Sequence, residues 1–397
     1  MTLPAAVDSD VRRVRLTQSV AYFAAFVALG LFAAALGPTL PGLADNTRTD
    51  LSRISILFSA RSAGYLIGSF LGGRLYDRLP GHRVIAVGLG LMLLSLLATP
   101  VVSLLVLLAA VMLLGGIAEG AVDVGGNTLL VWVHRDKVGP FMNALHLFFG
   151  LGAFLSPIII AQVVLMSGGI TWAYWVLALL MIPPLIGIWS LPSPAPLISA
   201  GDGKQTVTRP LLVAVIAVFC FVYVGAEVSF GGWIYTYAVA SGLATKTTAA
   251  YLTSVFWGAL TLGRLLAIPV AMRVPSRTIL FSDLIGCLIG IGAMLLWPGS
   301  AAALWGGTFL VGFGMASVFP TMLSFAARRM TTTGAVTAWF LVGSSTGAML
   351  MPWIIGQLFV PVGPQVVMVV IGMDLLLALG VFTALTLRTG RKEAATA

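Results

Sequence analysis

Charged, amide and imidazole side chains lie inside long apolar stretches of this chain. On insertion scales an ionisable side chain at the centre of a bilayer costs about 2.5 to 3.5 kcal/mol, so such residues are candidates for function. The residues of this kind are Arg61, Glu119, Asp123, His146, Glu227, Arg264, Asp283 and Asp374. Their presence indicates that the chain binds a polar solute or a cation at membrane depth.

Glu119, Asp123 and Asn127 are spaced four residues apart, so on a helix they follow one face. A carboxylate in an apolar environment can take up H+, and with a second oxygen ligand such as Asn127 it can hold Na+. We predict that Asp123 is the residue that couples transport to a cation, with Glu119 as the second candidate. We also expect Arg61 and Arg264 to pair with helix-borne carboxylates, Arg61 with Glu119 or Asp123. The spacing does not distinguish Na+ from H+.

Asn143 and His146 lie on one stripe of the next predicted helix, and a short connection makes the two helices antiparallel neighbours. Asn127, Asn143 and His146 then lie at similar depth, and His146 is the sole histidine within a predicted helix. Amide, imidazole and carboxylate groups suit a polyhydroxylated substrate, because each hydroxyl both donates and accepts hydrogen bonds. We therefore predict that these three residues bind a sugar.

An aromatic stripe accompanies Glu227 on the seventh apolar stretch and consists of Tyr223, Phe230, Trp233 and Tyr237. Aromatic faces stack on the apolar face of a pyranose, while a carboxylate accepts from its hydroxyls. We predict that Glu227, Trp233 and Tyr237 contact the substrate. Packing, or a belt at the membrane interface, is the alternative for the aromatic residues.

The elements that carry these residues are predicted helices. Of the 397 residues 59% are hydrophobic and only 9% are charged, too few to solvate a soluble protein of this size. Apolar stretches long enough to cross a bilayer recur throughout, without the alternation of a barrel wall. We predict twelve helices, numbered 1 to 12, at 16–40, 53–76, 84–103, 104–133, 140–166, 171–191, 210–240, 247–273, 277–297, 300–326, 331–358 and 365–388.

The basic residues favour one side of these helices. Most of the 22 Lys and Arg residues fall in alternate connections, as the positive-inside rule describes, so we predict that both termini are cytoplasmic. The net charge of +9 then reflects topology, and we expect no nucleic-acid partner.

A polar segment rich in Pro and Gly interrupts the apolar stretches near the chain centre. We predict an N-terminal six-helix bundle at 1–191, a cytoplasmic linker at 192–209 and a C-terminal six-helix bundle at 210–397. Residues 195 positions apart indicate a parallel duplication, and the pairs include Gly68 with Gly263, Arg78 with Arg273, and Pro157 with Pro352.

Helices 1, 4, 7 and 10 each carry a potential break, at Gly37-Pro38, Gly125-Gly126, Gly231-Gly232 and Phe319-Pro320. Interrupted helices usually face protein or a water-filled cavity, so we predict that these four helices line a central cavity. The alternative is that the glycine pairs only permit close helix packing.

The connection between helices 2 and 3 contains Gly73, Asp77 and Arg78, followed by Arg83. This pattern resembles the major facilitator signature G-x-x-x-D-R with its trailing basic residue. The resemblance implies that these four residues form a conformational switch loop, because in that family the loop helps to hold the outward-facing arrangement.

Several further motifs resemble the sodium-dependent glucose transporter branch of that superfamily and, more distantly, the fucose permeases. They are Leu36-Gly37-Pro38-Thr39, Ala60-Arg61-Ser62-Ala63-Gly64-Tyr65, Asp123-Val124-Gly125-Gly126-Asn127, Met142-Asn143-Ala144-Leu145-His146, and Gly225-Ala226-Glu227 with Gly231-Gly232-Trp233. This resemblance implies a monosaccharide symporter with Asp123 in cation coupling. One departure is Gly347-Ala348-Met349 in helix 11, where the branch leads us to expect an acidic residue after glycine.

These observations together predict an all-α, multi-pass protein of the cell inner membrane, surrounded by lipid and functional as a monomer. We expect alternating access with symport of a hexose and Na+ or H+, no other cofactor, no bound metal and no enzymatic activity. The alternative is an exporter of amphipathic drugs or lipids driven by proton antiport, for which 21 Phe and 15 Met could line an apolar cavity.

Overall fold

The structure is a computed structural model that describes residues 5–195, 209–330 and 334–395. Throughout these ranges the regular secondary structure is helical. Twelve of the described helical segments are long and apolar enough to cross a membrane. The predicted all-α class and the count of twelve are thereby confirmed.

The helices keep the numbers 1 to 12, and four of them consist of two pieces. In the first half they are Ala5–Ala33 and Leu36–Thr47 (1), Leu51–Ile54 and Ile56–Tyr76 (2), Gly81–Ala98 (3), Leu105–His134 (4), Gly139–Ser167 (5), and Ile170–Leu180 and Ile182–Trp189 (6). In the second half they are Pro210–Ala240 (7), Lys246–Ala271 (8), Ser276–Leu296 (9), Ala301–Met315 and Val318–Ala327 (10), Gly334–Val362 (11) and Val366–Ala395 (12).

Helices 1 and 10 are interrupted close to the prolines at which breaks were predicted. The turns lie at 34–35 and 316–317, three to four residues before Pro38 and Pro320. A proline has no N–H for the carbonyl four residues earlier, and its ring clashes with that carbonyl, so the preceding turn opens. In helix 1 the Ala35 N–H bonds instead to the Phe32 carbonyl at 3.3 Å, a tighter three-residue turn.

The predicted breaks in helices 4 and 7 are wrong, because both helices are continuous through their glycine pairs. Unlike proline, glycine keeps its N–H and can continue the helix. The glycines instead make room for aromatic rings. A Cβ on Gly126 would lie 2.1 Å from the Phe26 ring, and one on Gly232 would lie 2.7 Å from the Phe58 ring. Close packing, the alternative interpretation, is what the structure shows.

The chain forms two compact units, of which the first comprises residues 1–35 and 64–200. Within it, helices meet backbone to backbone at glycine positions. A Cβ on Gly30 of helix 1 would lie 2.0 Å from the Phe149 carbonyl of helix 5, and one on Gly68 of helix 2 would lie 2.0 Å from the Ile117 carbonyl of helix 4. Such contacts fix the relative positions of neighbouring helices to within a fraction of an ångström.

The second unit comprises residues 36–63 and 201–397. Here helices 7 and 11 are in backbone contact, since a Cβ on Gly347 would lie 1.9 Å from the Phe221 carbonyl. The predicted bundle boundaries and the cytoplasmic termini stay predictions. Residues 196–208 of the predicted linker lie outside the described ranges.

Serines of helix 2 bind helix 11 within the second unit. The Gln357 side-chain amide accepts from the Ser52 hydroxyl at 2.9 Å and donates to the Ser52 carbonyl at 2.9 Å. Further along, Ser59 and Ser62 donate to the Met349 and Ala348 carbonyls at 2.8 and 3.2 Å. Residues 36–63 are therefore joined to helix 11 by side-chain hydrogen bonds in addition to apolar packing.

Candidate functional site

The Asp123 carboxylate on helix 4 accepts a hydrogen bond on each oxygen. The Tyr65 hydroxyl of helix 2 donates to Oδ2 at 2.5 Å, and Asn127 Nδ2 donates to Oδ1 at 3.1 Å. Asn127 Nδ2 also donates to the Asp123 carbonyl at 2.9 Å, as expected for two residues one helical turn apart. The structure thus joins Asp123 and Asn127, both predicted site residues, and adds Tyr65.

Tyr65 was not among the residues predicted to form the site. It lies 58 residues from Asp123 in the chain, so no spacing rule connects the two. Two signals were available: its position next to Gly64 in a helix that also carries Gly68, since small residues mark close helix contacts, and its place in a motif that carries the family resemblance.

Glu119 lies one turn before Asp123 on helix 4 and is 5% exposed. This position agrees with the predicted acidic face. The pairing of Arg61 with Glu119 or Asp123 stays a prediction.

His146 and Asn143 on helix 5 lie in different environments. The His146 ring approaches the Phe26 ring edge-on, with centroids 6.1 Å apart, and is partly buried. Asn143 is exposed, so it has a side-chain amide accessible for a polar solute. The sugar-binding role of both residues stays a prediction.

The premise that His146 is the sole helical histidine is wrong. Helix 3 begins at Gly81 and helix 4 ends at His134, so His82 and His134 also lie in helices. Both ends are more polar than the apolar stretches that located the helices in the sequence. His82 contacts the Tyr22 hydroxyl at 2.7 Å, and His134 contacts the Ser19 hydroxyl at 2.7 Å.

In the second unit, Glu227 of helix 7 forms an ion pair with Arg264 of helix 8. The Arg264 guanidinium nitrogen lies 3.8 Å from Glu227 Oε1, with side-chain exposures of 32% and 14%. The expectation that Arg264 pairs with a helix-borne carboxylate is confirmed. At this distance the two side chains compensate each other's charge without a close hydrogen bond.

Trp233 and Tyr237, which were predicted to contact the substrate, are both buried and hydrogen-bonded within the second unit. Trp233 is 0% exposed, and its indole Nε1 donates to the Pro352 carbonyl at 3.0 Å. Tyr237 is 1% exposed, and its hydroxyl donates to Gln365 Oε1 at 3.3 Å. The stripe faces neighbouring helices, where buried Trp and Tyr satisfy their polar atoms. These positions agree with packing, the alternative interpretation, and the substrate contacts of Trp233 and Tyr237 stay a prediction.

The predicted switch loop is exposed at its charged positions. Helix 2 ends at Tyr76, and Asp77, Arg78 and Arg83 present their side chains at the surface of the first unit. No ion pair within 4.0 Å links these three described side chains. A Cβ on Gly73 would meet no atom within 4 Å, so close packing does not require glycine there. The switching role stays a prediction.

The two remaining membrane-depth carboxylates lie in the second unit. Asp283 of helix 9 accepts from the Ser317 hydroxyl at the interruption of helix 10. Asp374 of helix 12 is 7% exposed, and its Oδ2 has no hydrogen-bond partner within the described chain. Among the described residues no group of three or more His, Cys, Asp and Glu side chains could hold a metal ion.

Twelve membrane-length helices with carboxylates inside them suggest a transporter, and sequence comparison decides the family. The family model described as Major Facilitator Superfamily matches residues 21–352. The chain belongs to this superfamily. It is therefore a multi-pass membrane transporter of a small molecule, not an enzyme, and the resemblance seen in the signature loop is confirmed.

Individual members of the superfamily are similar over most of the chain. Mouse sodium-dependent glucose transporter 1A is 31% identical over 379 residues, which cover 85% of this chain and 88% of the relative. Human sodium-dependent glucose transporter 1 is 29% identical over 374 residues, covering 84% and 72%. The resemblance to this branch is thereby confirmed.

A solved structure of a mutant of the nucleoside transporter NupG shares the fold. Its TM-score with this chain is 0.76 at 15% sequence identity, and the match covers 94% of this chain and 99% of the other. This similarity shows that the twelve helices adopt the major facilitator fold.

Proposed function

We propose that this transporter is a cation-coupled symporter of a monosaccharide that works by alternating access in the cell inner membrane. The observation that carries the proposal is the Asp123 carboxylate, which lies inside a membrane-spanning helix with a neutral donor on each oxygen. An intramembrane carboxylate is the group expected to exchange a coupling cation. The similarity to sodium-dependent glucose transporters supports a sugar as the substrate.

In this proposal Asp123 binds the cation, with Glu119 one turn away as the second carboxylate. Asn127, Asn143 and His146 bind sugar hydroxyls, since their side chains can both donate and accept. Glu227 is a further candidate to accept hydrogen bonds from sugar hydroxyls. Trp233 and Tyr237 are both buried, with hydrogen bonds to Pro352 in helix 11 and to Gln365 in the turn between helices 11 and 12, and the proposal does not depend on their contact with the substrate.

Na+ is the first candidate for the coupling ion and H+ the second. The named relatives are sodium-dependent, and Na+ prefers oxygen ligands such as the Asp123 carboxylate. We also propose that the transporter functions as a monomer and that its substrate is a hexose.

Transport by purified protein in liposomes tests the coupling role. We expect a labelled aldohexose to accumulate under an inward Na+ gradient, and the Asp123→Asn variant to lose accumulation while it retains exchange of labelled for unlabelled sugar. Asn keeps the size of the side chain and removes the charge that a cation requires. The matched control is Asp374→Asn, which changes another buried intramembrane carboxylate and should retain accumulation.

Three outcomes would contradict the proposal. Loss of exchange together with accumulation would assign Asp123 to folding or to sugar binding. Accumulation driven by a pH gradient and indifferent to Na+ would replace Na+ with H+. Export of hydrophobic cations without any response to sugars would favour the drug or lipid exporter.

A further inference from the structure

Backbone contacts between helices 2 and 4 constrain the position of Tyr65. It lies on helix 2, between Gly64 and Gly68. A Cβ on Gly64 would lie 2.1 Å from the Leu113 carbonyl, and one on Gly68 would lie 2.0 Å from the Ile117 carbonyl. Helix 2 therefore lies directly on the backbone of helix 4 on both sides of Tyr65.

Helix 4 makes the reciprocal contact. A Cβ on Gly120 would lie 2.2 Å from the Tyr65 carbonyl and 2.9 Å from the Ser69 amide nitrogen. Gly120 is three residues before Asp123, so the carboxylate projects from the turn that touches Tyr65. With the two backbones in contact, the distance from the Tyr65 hydroxyl to Asp123 is set by the helix pair and not by a flexible surface side chain.

The two donors of the carboxylate come from different helices. Asn127 belongs to helix 4 itself and binds Oδ1, whereas Tyr65 belongs to helix 2 and binds Oδ2. Hydrogen bonds at both oxygens fix the rotation of the carboxylate as well as its position. A group that must bind and release a cation depends on that orientation, because cation affinity follows ligand geometry.

We propose that Tyr65 is a positioning residue for cation binding at Asp123, and that its hydroxyl tunes the affinity for Na+ without contacting the sugar. This inference rests on the proposed function, in which Asp123 binds the coupling cation. It assigns to Tyr65 a role that neither the sequence nor the similarity to other transporters supplies.

The test compares two tyrosines of helix 2. Tyr76 also donates to helix 4, but to the Ala121 carbonyl at 2.8 Å, so Tyr76→Phe removes a similar hydroxyl from the same helix pair without touching Asp123. The purified protein is titrated with NaCl at constant ionic strength, with choline chloride as the replacement. The readout is the Na+ concentration that gives half of the maximal rise in melting temperature, since a ligand stabilises the state that binds it.

We expect Tyr65→Phe to raise the half-saturating Na+ concentration about ten-fold, as loss of a hydrogen bond to a charged group predicts. Tyr76→Phe should leave that concentration unchanged, although it lowers the melting temperature measured without Na+. Exchange of labelled for unlabelled sugar at saturating Na+ should keep its maximal rate in Tyr65→Phe, since the sugar ligands are intact.

The outcomes separate the two proposals. If the unmodified protein shows no response to Na+, the Na+-coupled function is refuted, and the role of Tyr65 with it. If the unmodified protein responds and Tyr65→Phe shifts the half-saturating concentration no more than Tyr76→Phe does, the positioning role alone is refuted.

A second substitution keeps the test decisive should Tyr65→Phe fold poorly. Replacing Tyr65 by 3,5-difluorotyrosine preserves its volume and hydroxyl while making the phenol a stronger donor. We expect the half-saturating Na+ concentration to change, and the same replacement at Tyr76 to leave it unaltered. Equal values for the unmodified protein and the difluorotyrosine-65 protein would overturn the inference.

Discussion

Helices 4 and 7 are built on the same plan, but the described contacts of their carboxylates differ. Each is continuous, is long enough to cross a membrane and carries a carboxylate shortly before a glycine pair. Asp123 receives directed hydrogen bonds from Tyr65 and Asn127, whereas Glu227 lies 3.8 Å from the Arg264 guanidinium. The first arrangement controls orientation, and the second mainly balances charge.

The packing around the two carboxylates is alike. In helix 4 the glycine before Asp123 meets the backbone of helix 2, so the contact cannot yield by a side-chain rotation, and the glycine pair after Asp123 meets aromatic rings. In helix 7 the segment before Glu227 meets the backbone of helix 11, and the glycine pair after Glu227 again meets aromatic rings. The comparison teaches that the same packing can hold a carboxylate with different partners, so the difference between the two sites lies in those partners.

The largest effect is expected from Gly120→Ala, which disrupts the backbone contact between helices 4 and 2. Its Cβ would lie 2.2 Å from the Tyr65 carbonyl, so helices 2 and 4 must separate. Overpacking against backbone costs about 3 kcal/mol or more, and we expect a large fall in melting temperature. Gly90→Ala is the matched control, because that helical glycine has no atom within 4 Å and alanine favours a helix. A Gly120→Ala protein as stable as the control would show that this contact is soft.

A smaller loss is expected from Arg264→Met, which leaves Glu227 without its counter-ion. Removing one member of a buried pair costs about 3–5 kcal/mol, but the Arg264 side chain is 32% exposed and water would screen the remaining charge, so we expect about 2 kcal/mol. The double variant Arg264→Met with Glu227→Gln should recover most of the lost thermal stability, because no charge is then left unpaired. A double variant no more stable than Arg264→Met would mean that Arg264 acts through packing.

Helix-level features were predictable from the sequence because they depend on neighbouring residues. The apolar stretches gave twelve helices, the prolines of helices 1 and 10 located their interruptions, and the four-residue spacing anticipated the contact of Asn127 with Asp123. Each of these follows from local geometry, namely the length of a bilayer-spanning helix, the missing N–H of proline and the pitch of the helix.

Features that depend on the opposite helix were not predictable. The glycine pairs of helices 4 and 7 give no local sign of whether a ring fills the space beside them, so both were expected to break the helix. The indole of Trp233 bonds to a carbonyl 119 residues away, and Tyr65 bonds to a carboxylate 58 residues away. Periodicity identifies the face of a helix on which a residue lies, but not which atoms that face meets.

The smallest effect is expected from Thr236→Val in helix 7. The informative result is whether the melting temperature rises or falls. Thr236 is 3% exposed, and its hydroxyl oxygen has no hydrogen-bond partner among the described residues, in contrast to the bonded side chains around Asp123. Valine has nearly the same shape without a polar atom, and an unsatisfied buried hydroxyl destabilises a fold. We therefore expect the melting temperature to rise slightly, corresponding to about 1 kcal/mol or less, with sugar transport unchanged.

The matched control for this last change is Thr253→Val in helix 8. Thr253 is 0% exposed, but its hydroxyl donates to the Ala249 carbonyl at 3.3 Å, so valine there should give no gain in stability. If Thr236→Val instead weakens sugar transport while the fold stays intact, the hydroxyl belongs to a polar solute. Helix 7 would then contribute more to the substrate site than its ion pair and buried aromatic stripe indicate. The functional difference between helices 4 and 7 would be correspondingly smaller.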